Sequence, residues 1–288
     1  TLPREPAVPA DQTALAVVHG MANIRYFEGD PADMARMKED IAALWPKQRA
    51  WLLAQGKGDA AIPPSYMLAI SGGGDNGAFG AGLLNGWTST GRRPEFDLVT
   101  GISTGALIAP YAFLGAAHDA QLRELYTETS GQDLVVRHLF FGLLSNDSVL
   151  DTSPLRAMIE KHIDRGFLDE IALEAQKGRV LLIATTNLDS RQRVIWNMTQ
   201  IASSPDPRAV KLFHDVMLAS ASIPGAFPPV MIDVDVAEER FSEMHVDGGT
   251  STQVFIYPAS VNLGGLARAN DVQRQRSIYI IMNEPIVQ

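Results

Sequence analysis

A layered α/β/α domain with a mainly parallel central sheet is the fold class this sequence predicts, from three observations. Two short apolar runs, Met67-Leu68-Ala69-Ile70 and Phe96-Asp97-Leu98-Val99-Thr100, each break into a glycine-rich turn that opens a small-residue stretch. That is the pattern of a strand–turn–helix unit. The run Arg179-Val180-Leu181-Leu182-Ile183-Ala184-Thr185-Thr186 is apolar on both faces, as a strand covered on both sides must be. Further runs of strand length alternate with segments of helical spacing, which implies helices layered on a sheet.

Taken in order, residues 1–31 are proline-rich without a clear period and read as an extended arm, a dispensable tether. Met34, Met37, Ile41 and Leu44 recur at spacings of three and four among Arg36, Lys38, Glu39 and Asp40, which predicts an amphipathic helix over 32–45. Pro46 is expected to interrupt it, with a second helical turn at Trp51-Leu52-Leu53. This region reads either as a lid over a lipid site or as a helix packed on the domain, and such stripes usually face a core. Gln55-Gly56-Lys57-Gly58-Asp59 is a linker without the Gly-Lys-Ser/Thr ending of a phosphate-binding loop.

A catalytic domain is expected from Pro63 onward. After the two strand–turn–helix units comes a helical run from His118 to about Ser130. The apolar patch Leu139-Phe140-Phe141-Gly142-Leu143-Leu144 reads equally as a seat for acyl chains or as core. Asp151-Thr152-Ser153-Pro154 is a helix start for residues 154–163. Beyond the strand at 179–186 lie a shorter one at 192–197 and helical spacing at Val210, Phe213, Met217 and Leu218. Short strands follow at 230–234, 244–246 and 278–282.

Composition bounds the function. With 288 residues, 46% of them hydrophobic and 20% charged, the chain has the make-up of a globular protein with ample core. A formal charge of −9 argues against a nucleic-acid partner and against electrostatic docking on anionic lipid. No cysteine is present, so disulfides and a thiolate nucleophile are excluded. The six histidines lack metal-ligand spacing, and no metal is expected. Leu98 to Ala117 is uncharged over the length of a membrane span, but its Gly101, Ser103, Thr104, Gly105 and Pro110 fit a buried strand–turn–helix better.

Acyl transfer needs a nucleophile, a base and donors for an oxyanion. Gly101-Ile102-Ser103-Thr104-Gly105 meets the first need: glycines on both sides permit a tight turn that leaves the Ser103 hydroxyl protruding, at the N-terminus of a helix. A serine in such a turn also serves as a structural helix cap. Gly72, Gly73 and Gly74 meet the third, since their backbone N–H groups can approach an anion. Gly72-x-Gly74-x-x-Gly77 also satisfies a dinucleotide-binding pattern, but that fingerprint wants an acidic residue closing the next strand. Asp97 opens its strand instead.

Gly-Gly-Gly-x-x-Gly followed by Gly-x-Ser-x-Gly resembles the patatin-like phospholipases. The resemblance runs over roughly residues 65–283 and includes Ala184-Thr185-Thr186-Asn187-Leu188-Asp189, the segment from Ala219 to Pro229, and Val246-Asp247-Gly248-Gly249. It implies Asp247 as the base in a Ser103–Asp247 dyad without histidine, and no cofactor. The sequence departs from the family where Arg or Lys usually precedes the last glycine of the first turn: here Asp75-Asn76 stands before Gly77. Asn76 can donate only through its neutral amide. A rival triad would pair His245 with Asp215 or Asp233.

The expectation is an N-terminal arm and helical extension over 1–62 and a patatin-like catalytic domain over 63–288. The expected activity is that of a serine lipid acyl hydrolase, a phospholipase A or lysophospholipase, with lipid or phospholipid as substrate and contact with a membrane surface. The alternative is a catalytically silent lipid-binding or interaction module, motivated by Asn76. The opening Thr-Leu-Pro-Arg-Glu-Pro-Ala-Val-Pro resembles the tether behind a bacterial lipoprotein's modified cysteine. It points to export, with the cytoplasm as the alternative location. The stop after Gln288 is abrupt, and the native chain is expected to continue.

Overall fold

The computed structural model of the chain describes residues 4–57, 62–127, 151–250 and 252–284. Its described strands are β1 (Arg25–Phe27), β2 (Ser65–Ile70), β3 (Leu98–Gly101), β4 (Val180–Asn187), β5 (Gln192–Asn197), β6 (Val230–Val236), β7 (Glu239–Asp247) and β8 (Arg276–Ile281). The helices are α1 (Pro31–Ala54), α2 (Gly77–Ser89), α3 (Thr104–Leu114), α4 (Asp119–Thr127), α5 (Ser153–His162), α6 (Arg165–Gln176), α7 (Met198–Ala202), α8 (Ala209–Ser220) and α9 (Leu263–Ala269). One sheet runs in the order β1-β5-β4-β3-β2-β8, with β7 joined to both β4 and β6. The strands β8, β2, β3 and β4 are parallel. β1, β5, β6 and β7 pair antiparallel.

Strand side chains alternate between two faces, and each face has its own core. Leu68, Ile70, Val99, Leu181 and Ile183 join a cluster with Leu107, Phe113, Leu168, Phe213 and Met217 from the helices. Met67, Leu98, Val180, Leu182 and Ala184 join another with Met34, Met37, Ile41 and Trp45 of α1. Helices on both sides of a central sheet are the expected layered arrangement.

Pro46 does not interrupt α1, contrary to expectation. The buried positions Met37, Ile41, Trp45 and Gln48 continue the helical stripe across it, so packing holds the turn that proline weakens. Pro46 itself is exposed, which lets water reach the carbonyl its missing N–H leaves free. Asp30 caps the helix by accepting from the N–H groups of Ala32 and Asp33. The packed alternative for this region, rather than a lid, is what the buried face of α1 fits.

The N-terminal stretch is more than an extended arm. Residues 25–27 form an edge strand on β5, and Val8, Val18, Met21, Ile24 and Phe27 are buried in the core. Arg25 pairs with Glu243 inside the protein at 2.5 and 3.1 Å. Pro3, Pro6 and Pro9 conceal this, because a strap held by tertiary contacts takes its conformation from its partners. Helices α6, α7 and α9 are additions to the elements that spacing predicts. For α6 the local signal is Asp164, whose side chain accepts from the Phe167 N–H at 2.9 Å, ahead of Phe167, Leu168 and Ile171. The apolar patch at 139–144 lies outside the described residues.

The end of β3 positions the site. β3 stops at Gly101, opposite Ile183 of β4, and the edge of β4 that it vacates is taken by β7. There Asp247 pairs with Thr185, two residues beyond Ile183. The last residue of β7 therefore stands next to the turn that carries Ser103.

Candidate active site

The turn from β3 into α3 is closed by backbone-to-backbone contact. A Cβ on Gly101 would lie 2.4 Å from the Gly105 carbonyl oxygen, and one on Gly105 would lie 2.3 Å from that of Ile70. Between them Ser103 takes φ 57° and ψ −127°, a conformation that costs energy for a residue with a side chain. Ser103 occupies the N-cap position of α3, yet its side chain makes no capping bond. Its side chain acts on the Asp247 carboxyl instead, whose pKa it lowers. The structural role of a helix cap is thereby set aside.

The strained turn is held from α8. The Ser103 N–H donates to Ser220 Oγ at 3.0 Å, and Ser220 Oγ donates to the Ala184 carbonyl at 2.7 Å. In the sequence Ser220 carries no signal of this role beyond its place in a segment that resembles the family. Ser103 is not the protruding group expected from its motif. It is 4% exposed, because the loop of Gly72 lies over it: a Cβ on Gly72 would fall 3.2 Å from Ser103 Cβ.

Asp247 is likewise 4% exposed. Its backbone N–H donates to the Ser222 carbonyl at 2.9 Å, and its Oδ1 accepts from the Gly249 N–H at 2.6 Å. Burial pushes its pKa up, and Glu284 adds to this, while the Ser103 side chain and the Gly249 N–H lower it. The result is about 6, a carboxylate whose basicity suits neutral pH.

Gly73 and Gly74 both adopt positive φ, 141° and 54°. The Gly72 N–H donates to the Gln253 carbonyl at 3.3 Å, whereas no described residue accepts from the N–H groups of Gly73 and Gly74. Those two are the better placed donors of the three. The loop leads into α2, whose first residue Gly77 abuts the first residue of α3: a Cβ there would meet Thr104 Oγ1 at 2.1 Å. Two helix N-termini converge beside Ser103, and their unpaired N–H groups and dipoles favour negative charge. Asn76, at the N-cap of α2, is exposed and its side chain caps nothing.

The rival triad does not assemble. His245 is fully buried, with Nδ1 bonded to Thr185 at 2.9 Å and Nε2 to Glu243 at 3.0 Å. Asp215 is held by Lys211 and Arg156 at 2.5 and 2.8 Å, and Asp233 is exposed on β6. Among the described residues, no cluster of three or more His, Asp or Glu side chains could hold a metal ion. None of the described helices is long and apolar enough to cross a membrane.

The family model for patatin-like phospholipases matches residues 68–260, more than half of the chain and all of the elements that meet at Ser103. The chain belongs to the patatin-like phospholipase family. No curated protein sequence matches it. Among solved structures it is similar to VipD from Legionella pneumophila, at 13% identity and a TM-score of 0.39, over 76% of this chain and 50% of that one. It is also similar to a chain of the full-length SpcU–ExoU complex from the type III secretion system of Pseudomonas aeruginosa. There the identity is 19% and the TM-score 0.29, over 59% of this chain and 40% of that one. The patatin-like chain thus spans half or less of the length of these structures. Its family supports activity as a lipid hydrolase.

Proposed function

We propose that the protein is a serine lipid acyl hydrolase of the phospholipase A or lysophospholipase type. The observation that carries this reading is a buried serine in a strained turn that does not cap its own helix, set beside a buried carboxyl at the end of β7 whose pKa it lowers. Asp247 takes the hydroxyl proton as Oγ attacks the acyl carbonyl, and the N–H groups of Gly73 and Gly74, with Gly72 beside them, receive the oxyanion. The proton passes to the departing alcohol, leaving an acyl-serine. Water, deprotonated by Asp247, then releases the fatty acid and restores the hydroxyl.

The substrate is lipid or phospholipid, and contact with a membrane surface is apolar rather than electrostatic. Phe79 and Leu83 are exposed on α2, directly after the glycine loop, while the net charge is −9. Asn76 favours a second reading, a silent lipid-binding module, since no cation stands in the first turn. Turnover of a fatty acyl p-nitrophenyl ester separates the two. The wild type is expected to hydrolyse it, and Ser103→Ala, which removes a single oxygen atom, is expected to be inert but folded. A folded Ser103→Ala with undiminished turnover sinks the nucleophile assignment, and a wild type without turnover favours the silent module.

A further inference from the structure

The family match ends at residue 260, but the glycine loop is held from beyond it. β8 lies parallel to β2 along its whole length, from Ser65↔Arg276 to Ile70↔Ile281. The residues that follow the two strands therefore leave the sheet side by side, and Ser71 meets Asn283. The Asn283 N–H donates to Ser71 Oγ at 2.8 Å, and its Nδ2 donates to the Ser71 carbonyl at 2.9 Å. Its Oδ1 accepts from the Gly80 N–H at 3.0 Å. Ser71 Oγ in turn donates to the Gly72 carbonyl at 2.7 Å.

A single buried amide thus ties residue 71, before the glycine turn, to residue 80, after it. Asparagine suits the position because its amide donates and accepts at once. Gly80 lies in the first turn of α2, the helix that the glycine turn opens. Gly73 rests directly on this side chain: a Cβ at Gly73 would come within 2.7 Å of Asn283 Cβ.

We propose that Asn283 is the positioning residue of the oxyanion loop, aiming the N–H groups of Gly73 and Gly74 by holding Ser71 and Gly80 together. The inference rests on the hydrolase reading above. Asn283 touches no reacting atom and acts only through the loop. Deleting an oxyanion donor outright costs about 10²–10³ in turnover. Misplacing one costs less, about 10- to 100-fold in kcat, with KM changed by less than about twofold.

The test uses the full chain with Asn283→Ala and the near-isosteric Asn283→Asp, which keeps the acceptor for Gly80 and loses the donor to Ser71. Both kcat and KM on a p-nitrophenyl ester are measured per serine titrated with a fluorophosphonate. Inhibition by an alkyl boronic acid is measured alongside, since its tetrahedral adduct on Ser103 places an oxyanion before the loop. The expected result is a parallel fall in kcat and boronate affinity at nearly constant KM. A lower titratable fraction and Tm with unchanged kcat per site overturns the proposal, as does a rise in KM alone. Failure of both variants to fold also counts against it, because Asn283 is then a folding residue. An active wild type with unaffected variants sinks the positioning role alone. A wild type without turnover sinks the hydrolase reading and this inference with it.

Discussion

Asp247 and His245 stand two residues apart on β7 and are treated oppositely by their surroundings. His245 has partners on both ring nitrogens, and burial lowers its pKa. Asp247 keeps a raised pKa of about 6 against an ordinary 3.8, chiefly through burial. In the proposed mechanism the base must be unprotonated, so turnover is expected to rise with pH through about 6 and level off above it. For stability the sign is reversed. The folded carboxyl binds its proton more tightly than the unfolded one, so this contribution is complete below about pH 4 and lost as pH rises through 6. A rise of that size in proton affinity corresponds to about 3 kcal/mol. Asp247→Asn is therefore expected to lower turnover by about 10²–10⁴ yet raise Tm at pH 8, the gain shrinking as pH falls from about 6 to 4. His245→Gln is expected to keep its rate per titrated serine while losing Tm. Rate profiles and thermal melts across pH check both, and a collapse in the histidine variant alone would point back to a triad.

At the scale of elements, α1 shows packing overriding local propensity. An exposed proline within a helix costs about 3 kcal/mol relative to alanine, and α1 bears it because Met37, Ile41 and Trp45 bury against the sheet. Pro46→Ala is expected to stabilise the protein by about 1–3 kcal/mol without changing turnover, as read from urea unfolding and the ester assay. A loss of stability would mean that the proline ring itself packs. The β3–α3 turn shows the converse, a locally strained element made legible by its own residues. Gly101 and Gly105 declare the close approach in the sequence, but Ser220, which receives the Ser103 N–H, belongs to a helix more than a hundred residues later. No spacing connects the two.

For the molecule as a whole, the N-terminal stretch closes the structure. Arg25 and Glu243 form a buried bidentate pair. Burial alone would push the Glu243 carboxyl up, but the Arg25 charge and the His245 bond hold it at about 2. Removing one partner of a buried pair costs about 3–5 kcal/mol. Deleting residues 1–27 removes Arg25 together with the buried Val8, Val18, Met21, Ile24 and Phe27. A drop of about 10 °C or more in Tm is expected, given about 2–4 °C per kcal/mol for a domain of this size. An unchanged melting temperature would restore the reading of a dispensable tether. Glu243 lies on the strand that ends in Asp247, so the same deletion tests how far the arm supports the site.

The sequence by itself determined the fold class, the two glycine-rich turns and the strands that feed them. These are local matters: apolar runs of strand length, small residues where backbones touch, and a serine between glycines. It also singled out Ser103 and the glycine loop by chemistry, and Asp247 by resemblance. Only the tertiary structure decided that Asp247 meets Ser103, because β7 occupies the edge of β4 left empty where β3 stops at Gly101. It alone decided that the serine lies under the glycine loop rather than in the open, and that Ser220 and Asn283 brace the two turns. Those contacts join residues 36 to 212 positions apart, and chain pairing at such separations leaves no periodicity to read.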